Sequence, residues 1–228
     1  MGETEGLKKL AAEAALAYVK DGDVVGLGTG STVKHLLAAL ERRVRAGLKI
    51  TGVPTSEATA ALARTAGIPL LSDEALWSID VAIDGADQVD PQLNLIKGGG
   101  GALLHEKIVA ANARRVIIMV DETKRVPVLG GSFPLPIEVL PFGWRTTACA
   151  IEQLGGKTIR RERDGRVFRT ASGHYILDVH LARIDDPSDL EARLNRIPGV
   201  IECGLFVGRT DLLIVGTSRG VEVHLRQP

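Results

Sequence analysis

Four short segments of this 228-residue chain combine glycine with residues that can bind an anion or move a proton. Each is placed where a predicted strand ends: GTGST at 28–32, DGAD at 84–87, KGGGG at 97–101 and DETK at 121–124. Ligands of open α/β sheets bind beyond the carboxyl ends of the strands. We therefore expect the four segments to meet at one rim of a sheet.

The first segment has the composition of a small phosphate site. Its glycines let the backbone approach an anion, which the hydroxyls of Thr29, Ser31 and Thr32 and the N–H groups of the following helix can bind. A dinucleotide fingerprint would need glycine where Ser31 or Val33 stands, and the Gly-Lys-Ser/Thr ending of a Walker A loop is absent. The alternative is a tight strand–helix turn around Gly30, with a hydroxyl that only caps the helix.

The second segment, Asp84-Gly85-Ala86-Asp87, carries two carboxylates three residues apart in a turn. Two carboxylates that face one cavity can hydrogen-bond sugar hydroxyls, move protons or bind a divalent cation. As ordinary turn residues that cap a helix, Asp84 and Asp87 would do none of this. Both interpretations stay open for this segment taken alone.

The third segment is a lysine followed by four glycines: Lys97, Gly98, Gly99, Gly100 and Gly101. Four consecutive glycines are entropically costly to order, so the segment indicates a close approach of the backbone to a ligand, with Lys97 as a cation at its edge. Glu106 follows on a helix among Leu103, Leu104 and Ile108. A carboxyl group near apolar side chains tends to have a raised pKa, which suits a general base. The alternative is a surface glutamate paired with a lysine.

Lys124 closes the fourth segment, after a strongly apolar strand that ends at Val120. It could supply a second cation to the same rim. The alternative is a solvated loop lysine whose stem lies along the surface.

The remaining residues exclude several other chemistries. The five histidines have no HxH or HExxH spacing, and Cys149 and Cys203 form no CxxC pair, so no metal site is predicted. A GxSxG elbow for acyl transfer through serine is absent. The sequence therefore supports neither a zinc site nor acyl transfer through serine.

Composition limits the partners. Lys and Arg number 28, as do Asp and Glu, so the formal net charge is zero and the basic excess of nucleic-acid binders is missing. No window approaches the ~18 apolar residues of a membrane span. The N-terminal run, amphipathic and preceded by acidic residues, is typical of a soluble helix and not of a signal peptide. We expect a cytoplasmic protein that binds a small molecule, with no nucleic-acid or membrane partner.

The elements that must position these segments fall into two groups. Strands are predicted at 24–28, 49–53, 68–71, 80–84 and 115–120, alternating with helices at 29–46, 56–65 and 102–113. This alternation predicts a doubly wound, mostly parallel Rossmann-like sheet. Residues 131–207 then follow a β-α-β-β-α-β order, which is ferredoxin-like. Its strands are predicted at 137–140, 158–163, 174–182 and 200–207, and its helices at 144–154 and 187–197. Two last strands, at 212–215 and 221–225, return to the first domain, so we predict domains at 1–130 with 208–228 and at 131–207.

Together and in this order, the four segments resemble the A-type ribose-5-phosphate isomerases. The matching motifs are GTGST at 28–32, DGAD at 84–87, KGGG at 97–100 with a glutamate six residues further on, and D-x-x-K at 121–124. The resemblance continues through LKK at 7–9, FPLP at 133–136, IPGV at 197–200 and GLF at 204–206. It covers essentially the whole chain, and four motifs in register are specific.

The resemblance implies an aldose–ketose isomerase that interconverts D-ribose 5-phosphate and D-ribulose 5-phosphate, in the non-oxidative branch of the pentose phosphate pathway. It implies that Glu106 carries the proton between C2 and C1, and that Asp84 and Asp87 handle ring opening and hold the sugar hydroxyls. Lys97 would stabilise the enediolate oxygen. The family works without metal or cofactor and forms homodimers, in some members tetramers.

The remaining contacts implied are to the rest of the substrate. Residues Thr29 to Thr32 match the substrate-binding loop, which we assign to the phosphate from its chemistry. Lys124 matches a substrate-contacting lysine, and Lys8 is a further candidate for the phosphate. Three positions depart from the family pattern: Gln88 replaces an acidic residue, Gly101 an alanine, and Glu122-Thr123 a small pair.

Two rival functions belong to other classes. A sugar-phosphate sensor would share the sheet but usually carries a helix-turn-helix, whereas here the first helix leads straight into the sheet. A nucleotide-dependent oxidoreductase is disfavoured by the broken fingerprint at Ser31 and Val33. Absorbance of a bound dinucleotide or flavin would identify the second rival.

Overall fold

The computed structural model describes residues 2–226. Its helices, in chain order, are α1 Glu3–Ala15, α2 Ser31–Arg45, α3 Glu57–Thr65, α4 Leu103–Ala111, α5 Trp144–Glu152 and α6 Pro187–Leu194. Its strands are β1 Val24–Leu27, β2 Thr51–Pro54, β3 Val81–Asp84, β4 Gln88–Val89, β5 Leu95–Ile96, β6 Val116–Asp121, β7 Leu135–Val139, β8 Lys157–Arg160, β9 Glu162–Arg163, β10 Arg166–Val167, β11 Tyr175–His180, β12 Val200–Cys203, β13 Leu205–Phe206, β14 Leu212–Thr217 and β15 Gly220–Leu225. Short 3-10 turns cover Leu16–Tyr18 and Glu122–Lys124.

The chain divides into two compact units. The first consists of the described parts of Met1–Ala86, His105–Lys124 and Arg209–Pro228, and the second of Asp87–Leu104 and Arg125–Gly208. The domain boundaries predicted at 130 and 208 stay a prediction, and these units differ from them by assigning residues 87–104, 125–130 and 208 to the second unit. The reason is local pairing, since β5 is hydrogen-bonded to β13 and not to the large sheet.

A six-stranded sheet with the order β15-β14-β6-β3-β1-β2 forms the centre of the first unit. Its first five strands in chain order (β1, β2, β3, β6 and β14) pair in parallel and only β15 is antiparallel. Numbered along the chain, the parallel strands follow the doubly wound order 2-1-3-4-5, so the direction of winding reverses between β1 and β3. This confirms the predicted Rossmann-like class and the return of the last two strands.

Helices cover both faces of this sheet. On one face, the predicted apolar stripe of α2 (Val33, Leu36, Leu37 and Leu40) is buried with alternate residues of β1, β3, β6 and β14. On the other face α4 packs so closely on β1 that a Cβ at Gly26 would lie 2.5 Å from Val109 Cγ1. Each large aliphatic side chain buried in this way contributes about 1.5–3 kcal/mol.

The second unit contains an antiparallel four-stranded sheet with the order β12-β7-β11-β8. Counted along the chain this is 4-1-3-2, the order of a ferredoxin-like sheet, with α5 and α6 between its strands as predicted. Ala148 and Ile151 of α5 and Leu194 of α6 are buried in the same core as the strands. A small sheet, β13-β5-β4, completes the unit.

Three predicted strands differ from the structure. Residues 68–71 form only an isolated bridge between Leu70 and Gly52, because Pro69 lacks an N–H group for a longer ladder. The strand predicted at 158–163 is divided into β8 and β9. The strand predicted at 200–207 is divided at Gly204, whose N–H donates to Pro136 while its carbonyl accepts from Lys97.

None of the helices within residues 2–226 is long and apolar enough to cross a membrane.

Candidate active site

Three of the four chemically capable segments lie at the carboxyl ends of neighbouring parallel strands in the first unit. Segment 28–32 follows β1, residues 84–86 follow β3, and residues 121–124 follow β6. Strand β3 pairs with β1 on one side and β6 on the other. The first two segments therefore flank the point where the winding reverses, which is where doubly wound sheets bind ligands.

Gly28 allows the loop after β1 to lie directly against Asp84. A Cβ at Gly28 would stand 2.0 Å from Asp84 Oδ1, so no other residue fits without moving the carboxylate. The N–H of Gly28 donates to the carbonyl of Ile83 at 3.0 Å, which ties the loop to the end of β3. The close approach fixes where the loop and the carboxylate lie relative to each other.

Gly28→Ala is expected to destabilise the protein by about 1–3 kcal/mol, because the new methyl group overlaps a buried carboxylate. Urea unfolding followed by circular dichroism measures this. Gly6→Ala is the control, since a Cβ at Gly6 meets nothing within 4 Å and alanine favours helix α1. An unfolding midpoint for Gly28→Ala equal to that of the wild type would contradict the packing described.

Asp84, at the end of β3, joins the two loops through one oxygen. Its Oδ1 accepts the N–H of Thr29 at 3.1 Å and the N–H of Gly85 at 2.7 Å. The side chain is 8% exposed. Asp84 therefore has a structural role at this rim, because it links the loops after β1 and β3.

The start of α2 presents its N–H groups next to the loop. Gly30 caps this 15-residue helix and has no side chain to occupy its end, and the first turn, STVK, has no acidic residue. Ser31 is exposed and Thr32 is buried. A helix end of this kind, with hydroxyls beside it, suits a phosphate group.

A cluster of hydroxyl groups from residues 55–59, which run from the end of β2 into the first turn of α3, binds the loop after β1. This cluster was not predicted from the sequence. Thr29 Oγ1 lies 2.8 Å from both Thr55 Oγ1 and Ser56 Oγ. Thr59 donates to the carbonyl of Gly28 at 2.8 Å, and Thr55 to that of Leu27 at 3.2 Å. The signal in the sequence is T-S-x-x-T after β2, in which Ser56 also caps α3 by accepting the N–H of Thr59.

Glu106 lies in the first turn of α4 and is 7% exposed. The interpretation of Glu106 as a surface residue is therefore wrong. Of its predicted apolar neighbours along the helix, Leu103 is buried but Ile108 is 44% exposed. The first turn of a helix favours a negative charge, which a carboxylate brings.

Lys124 and Lys8, the two lysines of the first unit named as candidate substrate contacts, differ in their surroundings. Lys124 ends the 3-10 turn after β6 and is half-buried. The turn is shaped by Asp121, which is 1% exposed and accepts the N–H of Thr123 at 3.1 Å. Lys8 on α1 donates to Glu5 Oε1 at 2.6 Å, and this bond, with one to His35, holds the pKa of the Glu5 carboxyl below its usual range.

The lysine and glycine segment belongs to the second unit, where it forms a tight turn before α4. The N–H of Gly101 donates to the carbonyl of Gly98 at 3.0 Å, and both residues have positive φ, 88° and 103°. A Cβ at Gly101 would stand 2.4 Å from Phe168 Cζ. The run of glycine is thus explained by backbone conformation as well as by space.

Asp87 and Lys97 flank this turn. Asp87 Oδ2 accepts the N–H of Gly99 at 2.8 Å, and a Cβ at Gly99 would lie 2.9 Å from Oδ1 of the same carboxylate. Lys97 is 4% exposed, and its Nζ lies 5.5 Å from the centre of the Phe206 ring. A desolvated ammonium group over an aromatic ring is a strong local cation.

Arg161 is a second residue that sequence reasoning missed. Its Nη1 donates to the carbonyls of Gly98 at 2.7 Å and Gly99 at 3.2 Å, and its Nε to Asp178 at 2.8 Å. Nothing in the local sequence, a stretch rich in arginine, distinguishes it from Arg160 or Arg163.

The sequence profile of "Ribose 5-phosphate isomerase A (phosphoriboisomerase A)" matches residues 51–220. The chain is 52% identical to the ribose-5-phosphate isomerase A of Nitrobacter hamburgensis, over 98% of this chain and 99% of that protein. It is also 52% identical to the one from Gloeobacter violaceus, over 95% of each chain.

The chain belongs to the ribose-5-phosphate isomerase A family. Membership confirms the predicted enzyme class, an aldose–ketose isomerase. It also confirms the resemblance that the four motifs carried.

Solved structures of the ribose-5-phosphate isomerase family agree with the fold. A D-ribose-5-phosphate isomerase in complex with phospho-erythronic acid superimposes with a TM-score of 0.95 and 43% identity, covering 99% of this chain and all of that one. The ribose 5-phosphate isomerase of Plasmodium falciparum gives a TM-score of 0.94 at 36% identity, covering 98% of this chain and all of that one.

Gln88, which departs from the family pattern, has a structural explanation. It is 3% exposed, and its side-chain amide forms two hydrogen bonds with the backbone of Gly130. Nε2 donates to the Gly130 carbonyl at 2.9 Å, and Oε1 accepts the Gly130 N–H at 2.8 Å. A carboxylate could accept but not donate. Glutamine therefore fits this position.

Proposed function

We propose that this protein interconverts D-ribose 5-phosphate and D-ribulose 5-phosphate through an enediolate, without metal or organic cofactor. The observation that carries the proposal is the family match along nearly the whole chain, at 52% identity to a curated ribose-5-phosphate isomerase A. One solved relative is in complex with phospho-erythronic acid, which joins a carboxylate, hydroxyl-bearing carbons and a phosphate. That ligand supports a sugar phosphate as the substrate here.

Glu106 is proposed as the base. Its carboxylate takes the proton from C2 of the open-chain aldose, and the electron pair left behind forms a C1–C2 double bond with negative charge on O1. The same proton is then delivered to C1 while the O2 proton moves to O1, which leaves a ketone at C2. Its burial, at 7% exposure, supports this role, because a base shielded from water can retain the proton between the two steps.

Lys97 is proposed as the group that stabilises the enediolate oxygen. Charge develops on that oxygen only during the reaction, so a fixed cation there lowers the barrier more than it strengthens substrate binding. Its burial at 4% exposure supports the role, because a desolvated ammonium interacts more strongly than a hydrated one.

The other contacts are proposed in the same way. Asp84 and Asp87 open the sugar ring and hold its hydroxyls, and Gly85, Ala86 and the three glycines at 98–100 give their backbone close access to the substrate. Thr29, Gly30, Ser31 and Thr32, which lead into the first turn of α2, bind the phosphate, with Lys124 as a further contact and Lys8 as an additional candidate.

The setting is proposed from the family. We propose a cytoplasmic homodimer, with a homotetramer as the alternative assembly, that acts in the non-oxidative branch of the pentose phosphate pathway. Size-exclusion chromatography with light scattering distinguishes the two assemblies.

Conversion of ribose 5-phosphate in excess EDTA tests the function. We expect ribulose 5-phosphate to form at a rate that EDTA does not change, with kcat in the range of about 1–10³ s⁻¹. Proton NMR of the sugar follows both species directly, and ribose without its phosphate is the control substrate.

Two results would contradict the proposal. Binding of ribose 5-phosphate without any conversion would make the protein a sensor. Conversion that stops in EDTA and returns with a divalent cation would overturn the cofactor-free mechanism.

A further inference from the structure

Arg161 bonds the backbone of the Lys97–Gly101 turn from within the same unit. One nitrogen, Nη1, donates to two successive carbonyls, those of Gly98 and Gly99, at 2.7 and 3.2 Å. Gly98 and Gly99 directly follow Lys97 in the chain. Arg161 lies in the short link between β8 and β9, and its own N–H donates to the carbonyl of Ile176 at 2.8 Å.

The guanidinium group is itself fixed in place. Its Nε and Nη2 donate to the two oxygens of Asp178 on β11, at 2.8 and 2.5 Å. The side chains of Arg161 and Asp178 are only 11% and 16% exposed. A bidentate, charge-assisted pair that is largely shielded from water holds its geometry better than an exposed ion pair.

This arrangement orients individual peptide groups. All peptide bonds among residues 2–226 are trans, so the N–H and C=O of each peptide group point in opposite directions. With its carbonyl turned toward Arg161, the peptide between Gly99 and Gly100 directs the Gly100 N–H to the other side of the turn. Asp87 fixes the preceding peptide from its N–H end, through Gly99.

A run of glycines needs hydrogen bonds from elsewhere in the chain to keep one backbone conformation. Four consecutive glycines have many backbone conformations of similar energy, and ordering each residue costs about 1–2 kcal/mol. Two of the bonds that select one conformation come from Arg161, more than 60 residues away in the chain. Without these two hydrogen bonds, the turn and Lys97 at its start would sample more backbone conformations.

We infer that Arg161, held by Asp178, is a positioning residue that sets the conformation of the turn carrying Lys97. The inference rests on the proposed function, in which Lys97 acts on the enediolate. Loss of the guanidinium group loosens the turn and weakens the stabilisation of the reacting oxygen, while the proposed phosphate contacts at 29–32 are left in place.

The test compares Arg161→Met, Arg161→Lys and Asp178→Asn with Arg163→Met as the matched control. Arg163 is exposed and stacks on the Phe168 ring at 4.6 Å, as Arg161 does at 5.9 Å, so the control removes a guanidinium from the same ring. Both kcat and KM for ribose 5-phosphate are measured per amount of folded protein. Hydrogen exchange of the peptide covering residues 97–101 is followed by mass spectrometry.

We expect Arg161→Met to lower kcat about 10- to 100-fold with KM changed less than about threefold, since a small misplacement costs rate more than binding. Arg161→Lys should recover part of the rate, because an ammonium group can still reach one carbonyl. The kcat of Asp178→Asn should lie between those of Arg161→Met and Arg161→Lys. Arg163→Met should stay within about twofold of the wild-type kcat. Exchange at 97–101 should accelerate in the Arg161 variants and in Asp178→Asn, but not in Arg163→Met.

The inference is overturned if folded Arg161→Met and Arg161→Lys keep wild-type kcat, or if KM rises with kcat unchanged. If Arg161→Met does not fold, Arg161→Lys and Asp178→Asn decide by the same criteria. A wild type that does not convert the substrate defeats the proposed function, and the exchange measurement then still supports or overturns the positioning role by itself.

Discussion

Glu106→Gln is expected to lower kcat by about 10³-fold, within the ~10²–10⁴ range for loss of a positioned acid–base group. Glutamine has the shape of glutamate, but its amide cannot accept the proton from C2. KM should change little, because the proposed binding contacts are untouched. Conversion of ribose 5-phosphate in EDTA measures the rate, and deuterium uptake from D₂O at C1 and C2 measures the proton transfer itself.

Glu138→Gln is the matched control for this variant. Glu138 is also buried, at 1% exposure, and it accepts bonds from Thr170 at 2.8 Å and pairs with His174 at 2.9 Å in the second unit. We expect it to retain kcat within about threefold, although its stability can fall because a buried hydrogen bond changes. Full activity in Glu106→Gln, or an equal loss in both variants, would show that the base has been wrongly assigned.

Lys97→Met is expected to lower kcat about 10²–10³-fold, the cost of removing one preorganised group from a developing oxyanion. Methionine approximates the length of the lysine stem and preserves the contact with Phe206, but it removes the positive charge. Because this charge acts mainly in the transition state, kcat should fall much more than KM rises. Steady-state kinetics with ribose 5-phosphate separates the two.

Lys97→Arg and Lys157→Met complete this comparison. Arginine keeps the charge but is larger and planar, so we expect partial activity at a site where Lys97 is 4% exposed. Lys157 is exposed on β8, and its replacement should leave both constants within about twofold of the wild type. If Lys97→Met raised KM alone, Lys97 would be a binding residue and not the proposed oxyanion stabiliser.

The order of elements could be predicted because it depends on local patterns. The apolar run of β6 is long enough to indicate a strand buried on both faces, and the helical spacing of Val33, Leu36, Leu37 and Leu40 identifies the buried face of α2. Gly204 shows the limit of this reasoning. Its flanking residues continue a strand pattern, yet two hydrogen bonds from separate parts of the chain end β12 there.

Some features of the candidate site could likewise be predicted from the sequence, and others could not. The sequence identified the glycine-containing loops, the buried-strand ends and the residue types able to handle a sugar phosphate, since glycine and turn chemistry are set by neighbouring residues. It could not identify the hydroxyl cluster under Thr29, whose partners lie 26 to 30 residues further along the chain.

By itself, then, the sequence determined the fold class and the segments that carry chemistry, because these depend on local composition and on periods of two and 3.6 residues. The family was indicated by the resemblance of the four motifs in their order along the chain. Only the tertiary structure decided that Glu106 is buried, that Gly28 lies against Asp84 and that Arg161, among several neighbouring arginines, holds the glycine turn. Each of those depends on which distant strands become neighbours. That choice is made by packing of the whole core and cannot be inferred from the residues on either side.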